Sequence, residues 1–239
     1  MTHYPPYLYI DIETVPIVEN YNLLSENMKL LWQKKSKLID KENENFEETF
    51  FDKAGIFSEF GKIVCIGLGY FYNERNENQF RVKTISNENE YELLQEFCEI
   101  TSAFFQSKNK KFCGHNIKEF DLPFICRRLI INGIAFPKII QELQEQKPWE
   151  SSLMDTMQLW KFGDYKHFTS LNLLAEILQI ATPKDDIDGS EVAFVFWKEK
   201  NLNRIATYCS KDVITTAQVS LKLMHLPLLS DEQIIRIEE

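Results

Sequence analysis

The first apolar segment of the sequence ends in two acids. Residues 7–16 read YLYIDIETVP, and their apolar, β-prone character predicts a buried strand over 7–13. Side chains alternate along a strand, so Asp11 and Glu13 are expected on the same face. Two carboxylates on one buried face repel each other, and a divalent cation between them would relieve that repulsion. The segment therefore predicts a sheet protein with a candidate metal site, although an Asp-x-Glu triplet decides little in a chain with 36 acids.

The rest of the chain alternates between strand-like and helical patterns. Further strands are predicted at 61–72, 79–85 and 112–113. Apolar residues at helical spacing predict helices over 90–105 and 203–223. This order predicts an α/β fold with a mixed sheet flanked by helices, in a single domain over residues 1–239.

Residues 20–60 form a predicted insertion between the first two strands. They contain a helical pattern around 23–38 and an aromatic cluster of Phe46, Phe50, Phe51, Phe57 and Phe60. Two interpretations remain open. The insertion forms a lid near the site, or its aromatic side chains only pack it onto the body of the protein.

Composition narrows the class of function. The net charge of −9 argues against a broad basic surface for long duplexes, but it allows a cleft that takes one strand end. The five cysteines are scattered without a metal-binding spacing and are expected to be free thiols. Because no apolar run reaches roughly 20 residues and the N-terminus does not resemble a signal peptide, we expect a cytoplasmic protein without a membrane partner.

A second acidic motif lies in GHNIKEFDLPF, residues 114–124. Asp121 precedes Leu-Pro and an amphipathic run, so a helix N-cap is one interpretation of this residue. Asn116 follows the preceding strand and its amide could face the same cleft as Asp11. For His115 a structural, hydrogen-bonded role is expected rather than a substrate contact.

The third motif is YCSKD, residues 208–212, inside the last long helix. Tyr208 and Asp212 are four residues apart and therefore share a helix face. A local pair on the helix surface is the alternative interpretation. The best candidate basic groups for contact with a nucleic-acid backbone are Lys34, Lys35, Lys37, Arg127 and Arg128, and a solvated face remains the alternative for each of them.

Taken together, DIET, NIKEFD and YCSKD resemble the motifs of the DEDDy group of 3′→5′ exonucleases. These have a ribonuclease-H-like fold, and the likeness is to the proofreading exonuclease domain of family-B DNA polymerases and its stand-alone bacterial relatives. The resemblance runs from Tyr7 to about Met224. In the related DEDDh group a His precedes the last Asp by five residues, and that position is Thr207 here. Residues 20–60 exceed what such a core requires, and polymerase domains are lacking, which implies a free-standing enzyme or a detachable subunit.

The resemblance implies two Mg²⁺ or Mn²⁺ ions bound by Asp11, Glu13, Asp121 and Asp212. Asp11 would bridge both ions, and Tyr208 would orient the attacking water. Contacts to the terminal nucleotide are implied for Thr14, Asn116 and Phe120. The implied reaction releases nucleoside 5′-monophosphates from the 3′ end of single-stranded nucleic acid, with DNA favoured and any polymerase or repair partner unspecified. The alternatives are an endonucleolytic RNase-H-type hydrolase and a non-catalytic nucleic-acid-binding or interaction subunit that retains the fold.

Overall fold

The protein is built on a six-stranded mixed sheet. The computed structural model describes residues 4–39, 45–74, 77–107, 109–147, 151–164, 168–182 and 186–237. The strands are β1 (Tyr7–Pro16), β2 (Gly61–Glu74), β3 (Glu77–Ser86), β4 (Lys111–Gly114), β5 (Leu153–Asp155) and β6 (Ile234–Arg236). Their order in the sheet is β5-β4-β1-β2-β3-β6. Strands β1, β2 and β3 pair antiparallel, whereas β4 runs parallel to β1, β5 to β4 and β6 to β3. The predicted α/β class with a mixed sheet is confirmed.

Helices cover both faces of this sheet. In the described part of the chain they are α1 (Glu26–Ile39), α2 (Phe46–Lys53), α3 (Glu90–Phe104), α4 (Asp121–Ile131), α5 (Lys138–Glu145), α6 (Thr156–Lys161), α7 (Leu171–Ile177), α8 (Val192–Phe194) and α9 (Leu202–Leu223). A π-helical turn, Val195–Glu199, follows α8. The helices predicted over 90–105 and 203–223 agree with α3 and α9 to within one residue. Among the described residues, no helix has the length and apolarity needed to cross a membrane.

Strand β1 separates the two halves of the core. Leu8, Ile10 and Ile12 point to one side of the sheet and pack in one buried cluster with side chains of α3 and α4. Tyr9 points to the other side, where its hydroxyl lies 2.7 Å from the Ser220 hydroxyl of α9. Because the side chains of a strand alternate, the odd-numbered residues of β1 are directed toward α9. This alternation determines which helix Asp11 and Glu13 face.

The insertion between β1 and β2 has a buried cluster of its own. It consists of Tyr21, Leu24, Trp32, Phe50, Ala54 and Phe60. Trp32 is fully buried, and the ring centroids of Phe50 and Phe60 lie 5.3 and 5.1 Å from its own. The Trp32 indole nitrogen donates a 3.0 Å hydrogen bond to the carbonyl of Phe46. These contacts confirm a helical, aromatic insertion, of which residues 40–44 lie outside the described residues.

Candidate active site

Strand β1 presents its two acids to α9, as the alternation predicts. Glu13 is 6% exposed, and a carboxylate oxygen of Asp11 lies 3.5 Å from the Cys209 thiol of α9. The pairing of β1 with β2 shifts register between Glu13 and Thr14, which marks a β-bulge. Bulges turn side chains away from the regular alternation and are frequent next to active sites. The bulge thus lies immediately after Glu13, the second of the two acids.

Helix α9 lies close to β1 because β2 carries glycines beneath it. Gly67 pairs with Asp11 across the sheet. A Cβ atom at Gly67 would lie 2.6 Å from a Val213 methyl group and 2.9 Å from the Cys209 sulfur. Contacts this short do not occur, so any larger residue would push α9 away from the sheet. The sequence pattern identified 61–72 as an apolar strand but did not indicate this close approach.

Tyr208 and Asp212 lie on the face of α9 that is directed toward the β1 acids. Tyr208 is 8% exposed, and its hydroxyl is hydrogen-bonded to the Asp212 carboxylate. Burial raises the pKa of the Tyr208 phenol far above its usual value, and the charges of Asp212, Glu13 and Asp11 raise it further. Thr207 is exposed and its hydroxyl donates to the carbonyl of Asn203 at 2.8 Å, one turn back along the helix. Tyr208 therefore belongs to the acid cluster and Thr207 does not.

Asp121 joins the cluster from the start of α4. It is the first residue of that helix, whereas Phe120 occupies the N-cap position. The N-cap interpretation of Asp121 is therefore wrong. Its carboxylate instead accepts a 3.2 Å hydrogen bond from the backbone N–H of Ile12, between the two acids of β1. The local sequence could not indicate this bond, because its partner lies 109 positions away.

Burial and mutual repulsion dominate the electrostatics of the cluster. The pKa of Asp11 is raised well above its usual value by burial, then by the charges of Asp212 and Asp121. Burial, followed by the charges of Asp11 and Asp212, likewise raises the pKa of Glu13. The pKa of Asp121 rises to about 7, chiefly through burial, although its backbone hydrogen bonds oppose the shift. Such shifts are typical of carboxylates that share one site.

The donor atoms of the cluster fit a hard divalent cation. Asp11, Glu13 and Cys209 each offer a ligand atom, and these three atoms lie within 4.8 Å of one another. Burial raises the pKa of the Cys209 thiol well above its usual value, so the sulfur stays protonated and donates to Asp11. Carboxylate oxygens are then the available ligands, which suits Mg²⁺ or Mn²⁺ better than a thiophilic metal. From the sequence, Cys209 was expected only to be one of five free thiols, although its position between Tyr208 and Asp212 could have indicated its place beside the acids.

A cavity of about 240 Å³ opens beside Glu13. Thr14 and Phe120 line it, so two of the three residues expected to contact a terminal nucleotide lie next to the acids. The insertion contributes Phe51, Asp52, Gly55 and Ile56 to the lining. Most aromatic side chains of the insertion pack inward, as the packing interpretation expects, while Phe51 borders the site. A role of the insertion as a lid stays a prediction.

Asn116 lies in the loop between β4 and α4, where its backbone adopts a left-handed conformation with φ of 68°. Its N–H donates to the Asp155 carboxylate at 3.1 Å. The Asn116 side-chain oxygen is buried and has no hydrogen-bond partner among the described residues. A buried amide oxygen left in this state is available to a ligand donor.

The neighbouring His115 and Asp155 both have structural roles, which was expected for His115. The two ring nitrogens of His115 lie 2.9 Å from the Thr156 hydroxyl and 2.9 Å from the Thr169 carbonyl. Asp155 is the N-cap of α6 and also accepts hydrogen bonds from the backbone of Asn116 and Lys118. Asp155 therefore fixes the loop that carries Asn116.

Arg128, one of the basic residues considered as contacts to a nucleic-acid backbone, is too buried to make such a contact. Arg128 is 3% exposed and its guanidinium is bound by the Glu90 carboxylate, with Nε 2.9 Å from one oxygen. Its Nη1 donates to the carbonyl of Ser58 at 2.9 Å. The interpretation of Arg128 as a surface contact is wrong, because this side chain joins α4 to α3 and to the end of the insertion.

The mixed sheet, its flanking helices and the acids gathered on it define a ribonuclease-H-like exonuclease fold. A family model described as "Predicted 3′-5′ exonuclease related to the exonuclease domain of PolB" matches residues 57–234. Because this match covers most of the 239 residues, the chain belongs to that family of predicted exonucleases. The resemblance to the family-B polymerase exonuclease domain is confirmed. No curated protein gives a significant match to the chain.

The limits of the family match matter for the site. Residues 57–234 include Asp121, Tyr208 and Asp212, but the match begins after β1. The association of Asp11 and Glu13 with the other acids therefore depends on the geometry of the sheet and of α9. Exonuclease domains of this kind use divalent metals, and the acidic cluster agrees with that requirement.

Proposed function

We propose that the chain is a metal-dependent exonuclease that removes nucleotides from the 3′ end of a single strand and releases nucleoside 5′-monophosphates. The observation that carries the proposal is the convergence of acids from three elements, β1, α4 and α9, on one partly buried site. Such a cluster is costly to fold unless cations compensate it. DNA is the favoured substrate because the family is related to a DNA polymerase exonuclease domain.

In this proposal Asp11, Glu13, Asp121 and Asp212 would hold two Mg²⁺ or Mn²⁺ ions. Bound there, divalent cations would supply the charge that makes a water acidic and stabilises the departing 3′ oxygen. The carboxylates fix the position of that charge through rigid elements. The hydrogen bond from Ile12 to Asp121 and the contact of Cys209 with Asp11 each orient one of them.

Tyr208 orients the attacking water in this proposal. Its raised pKa keeps the phenol protonated at neutral pH, which makes it a poor general base. A protonated hydroxyl anchored beside Asp212 can instead exchange hydrogen bonds with a water at the cluster. Tyr208 therefore contributes positioning, and the proton of the water is released to solvent.

The terminal nucleotide occupies the cavity beside Glu13. Thr14 provides a hydroxyl there, and Phe120 provides an aromatic surface on which a base can stack. The unpartnered amide oxygen of Asn116 is available to a donor of the nucleotide. These three residues are proposed to hold the 3′ end while the acids act on its phosphodiester.

A ladder assay tests the proposal directly. Single-stranded DNA and RNA labelled at the 5′ end are incubated with enzyme and Mg²⁺, Mn²⁺ or EDTA. We expect products shortened one nucleotide at a time, no reaction in EDTA, and loss of activity in Asp11→Ala. The exposed acid Asp231 gives the matched control Asp231→Ala, which should cleave at the wild-type rate. Internal cleavage would indicate an endonuclease, and a wild-type rate for Asp11→Ala would contradict the proposed site.

The role of Tyr208 has a more specific test. Tyr208→Phe removes only the hydroxyl, so the packing of α9 should be kept while the chemical step slows. Loss of one hydrogen bond to a charged or developing charge costs about 1.5–3 kcal/mol, which corresponds to roughly 10- to 150-fold in rate. Single-turnover cleavage is compared with Thr207→Ala, whose side chain lies outside the cluster. A larger loss from Thr207→Ala than from Tyr208→Phe would show that the other face of α9 is used.

A further inference from the structure

One side of α1 is apolar although it does not belong to the core. Met28, Leu31 and Leu38 line an open groove of about 400 Å³ together with Phe60, which immediately precedes β2. Leu31 is 51% exposed and Leu38 is 78% exposed. These two leucines are seven residues apart, so they lie two turns apart on one side of the helix. The other side of α1 anchors the insertion through the fully buried Trp32.

The fold of the insertion does not require these leucines. Its buried cluster is centred on Trp32 and includes neither Leu31 nor Leu38. Single exposed leucines are common on protein surfaces, but several that line one groove are typical of an interaction site. The arrangement therefore indicates a surface that becomes covered when a partner binds.

The rim of the groove is mainly basic. Lys34 and Lys35 line it, with Glu59 as the acid among its lining residues. Helix α1 carries four lysines and one acid, in a chain whose net charge is −9. Within the described parts of the chain, Lys34 takes part in no ion pair, and Lys35 lies over the ring of Phe57 with Nζ 4.4 Å from its centroid. A partner that complements this rim carries negative charge.

We propose that this groove binds an acidic peptide segment of a partner protein. The segment places apolar side chains against Leu31 and Leu38, and carboxylates beside Lys34 and Lys35. Amphipathic peptides are bound in this way in helix-lined grooves, through apolar anchors at spacings such as i, i+3 and i+7. The proposal is independent of the nuclease chemistry, although the insertion that forms the groove also lines the cavity beside Glu13.

Two other occupants fit the groove less well. A nucleic-acid strand would meet the lysines, but the accessible floor consists of leucine and methionine side chains. Phe60, the aromatic residue of the lining, is only 6% exposed and offers the bases little surface for stacking. A second copy of the chain, related by two-fold symmetry, would bring the same lysines toward one another and be repelled. An acidic peptide meets both the apolar floor and the basic rim.

Fluorescence anisotropy with a designed probe tests the proposal. The probe is a fluorescein-labelled peptide with leucines at i, i+3 and i+7 and glutamates between them, and a second probe replaces the glutamates with lysines. We expect saturable binding of the acidic probe, about tenfold weaker in Leu31→Ser because a buried leucine contact is lost. The double variant Lys34→Glu/Lys35→Glu should weaken binding at least about fivefold.

The controls replace the same residue types on other helices. Leu173 is also 51% exposed but lies on α7, so Leu173→Ser should bind the acidic probe like the wild type. Lys138 lies on α5, and Lys138→Glu should likewise leave binding unchanged. Leu31→Ser should keep the wild-type melting temperature and nuclease rate.

Several results would overturn the proposal. They are equal binding of the acidic and basic probes, equal affinity in Leu31→Ser and Leu173→Ser, and no saturable binding. Displacement of the acidic probe by a single-stranded oligonucleotide, with loss of oligonucleotide binding in the double lysine variant, would identify nucleic acid as the occupant. Sedimentation that shows a dimer of the wild type but a monomer of Leu31→Ser would identify a second copy of the chain.

Discussion

Replacing Asp121 with Asn should stabilise the metal-free protein at neutral and alkaline pH. Asp121 is 3% exposed, and burial together with the charges of Asp155 and Asp212 raises its pKa to about 7. The amide of Asn has nearly the same shape and can still accept the hydrogen bond from the Ile12 N–H. The substitution therefore removes a buried charge while it keeps the fold contact of the carboxylate.

The size of the effect follows from the raised pKa and depends on pH. Between the usual carboxyl pKa of 3.8 and about 7, the folded protein holds a proton at Asp121 that the unfolded chain has released. Wild-type stability therefore falls as pH rises through this window and is constant above it. A shift of about 3 units corresponds to about 4 kcal/mol. The advantage of Asp121→Asn should thus be near zero at pH 4 and reach up to about 4 kcal/mol at pH 8, which is roughly 10 °C in melting temperature.

Thermal melts in EDTA across this pH range measure the advantage. The control is Asp188→Asn, because Asp188 is exposed and hydrogen bonds from Ser190 lower its pKa, so its replacement should give no gain. Addition of Mg²⁺ should then raise the melting temperature of the wild type more than that of Asp121→Asn, because a ligand that binds the folded state stabilises it. Destabilisation by Asp121→Asn at every pH would refute the argument and assign Asp121 a purely structural role.

Two further predictions concern the packing that holds the site. Gly67→Ala should destabilise the protein by about 1–3 kcal/mol, since its Cβ would press against Val213 and Cys209. Gly189→Ala, where a Cβ meets no atom within 4 Å, should not lower the melting temperature, and equal effects would contradict the close approach of α9. Glu90→Gln should cost roughly 3–5 kcal/mol in denaturant unfolding, because it leaves the Arg128 charge buried without its counter-ion. The exposed pair Lys138–Glu142 is the reference, and a loss from Glu142→Gln as large as that from Glu90→Gln would be inconsistent with this reasoning.

The parts of the fold that depend on local patterns could be predicted from the sequence. The alternation of β1 is enough to direct Asp11 and Glu13 to one face, and helical spacing is enough to pair Tyr208 with Asp212. Both relations are fixed within a few residues by backbone geometry. The order of strands and helices likewise predicts the mixed sheet.

The contacts that join these elements could not be predicted. Asp121 was compatible with an N-cap because capping is a local pattern, whereas its actual partner is the backbone of β1. Arg128 was compatible with a surface contact, because nothing near it in sequence indicates Glu90, 38 positions away. Cys209 was compatible with an ordinary core residue. In each case the deciding partner is distant in the chain, and local patterns contain no information about it.

The geometry of the site depends strongly on Gly67, a residue that has no side chain. Asp11 and Glu13 belong to β1, and Tyr208 and Asp212 belong to α9, so their mutual geometry depends on how closely the helix lies on the sheet. Gly67 permits that approach, and Val213 and Cys209 fill the space above it. Interiors are close-packed, so a single methyl group at this position would displace α9 rather than be absorbed. The separation of the carboxylates, and with it their capacity to share cations, therefore depends on the lack of a Cβ atom at Gly67.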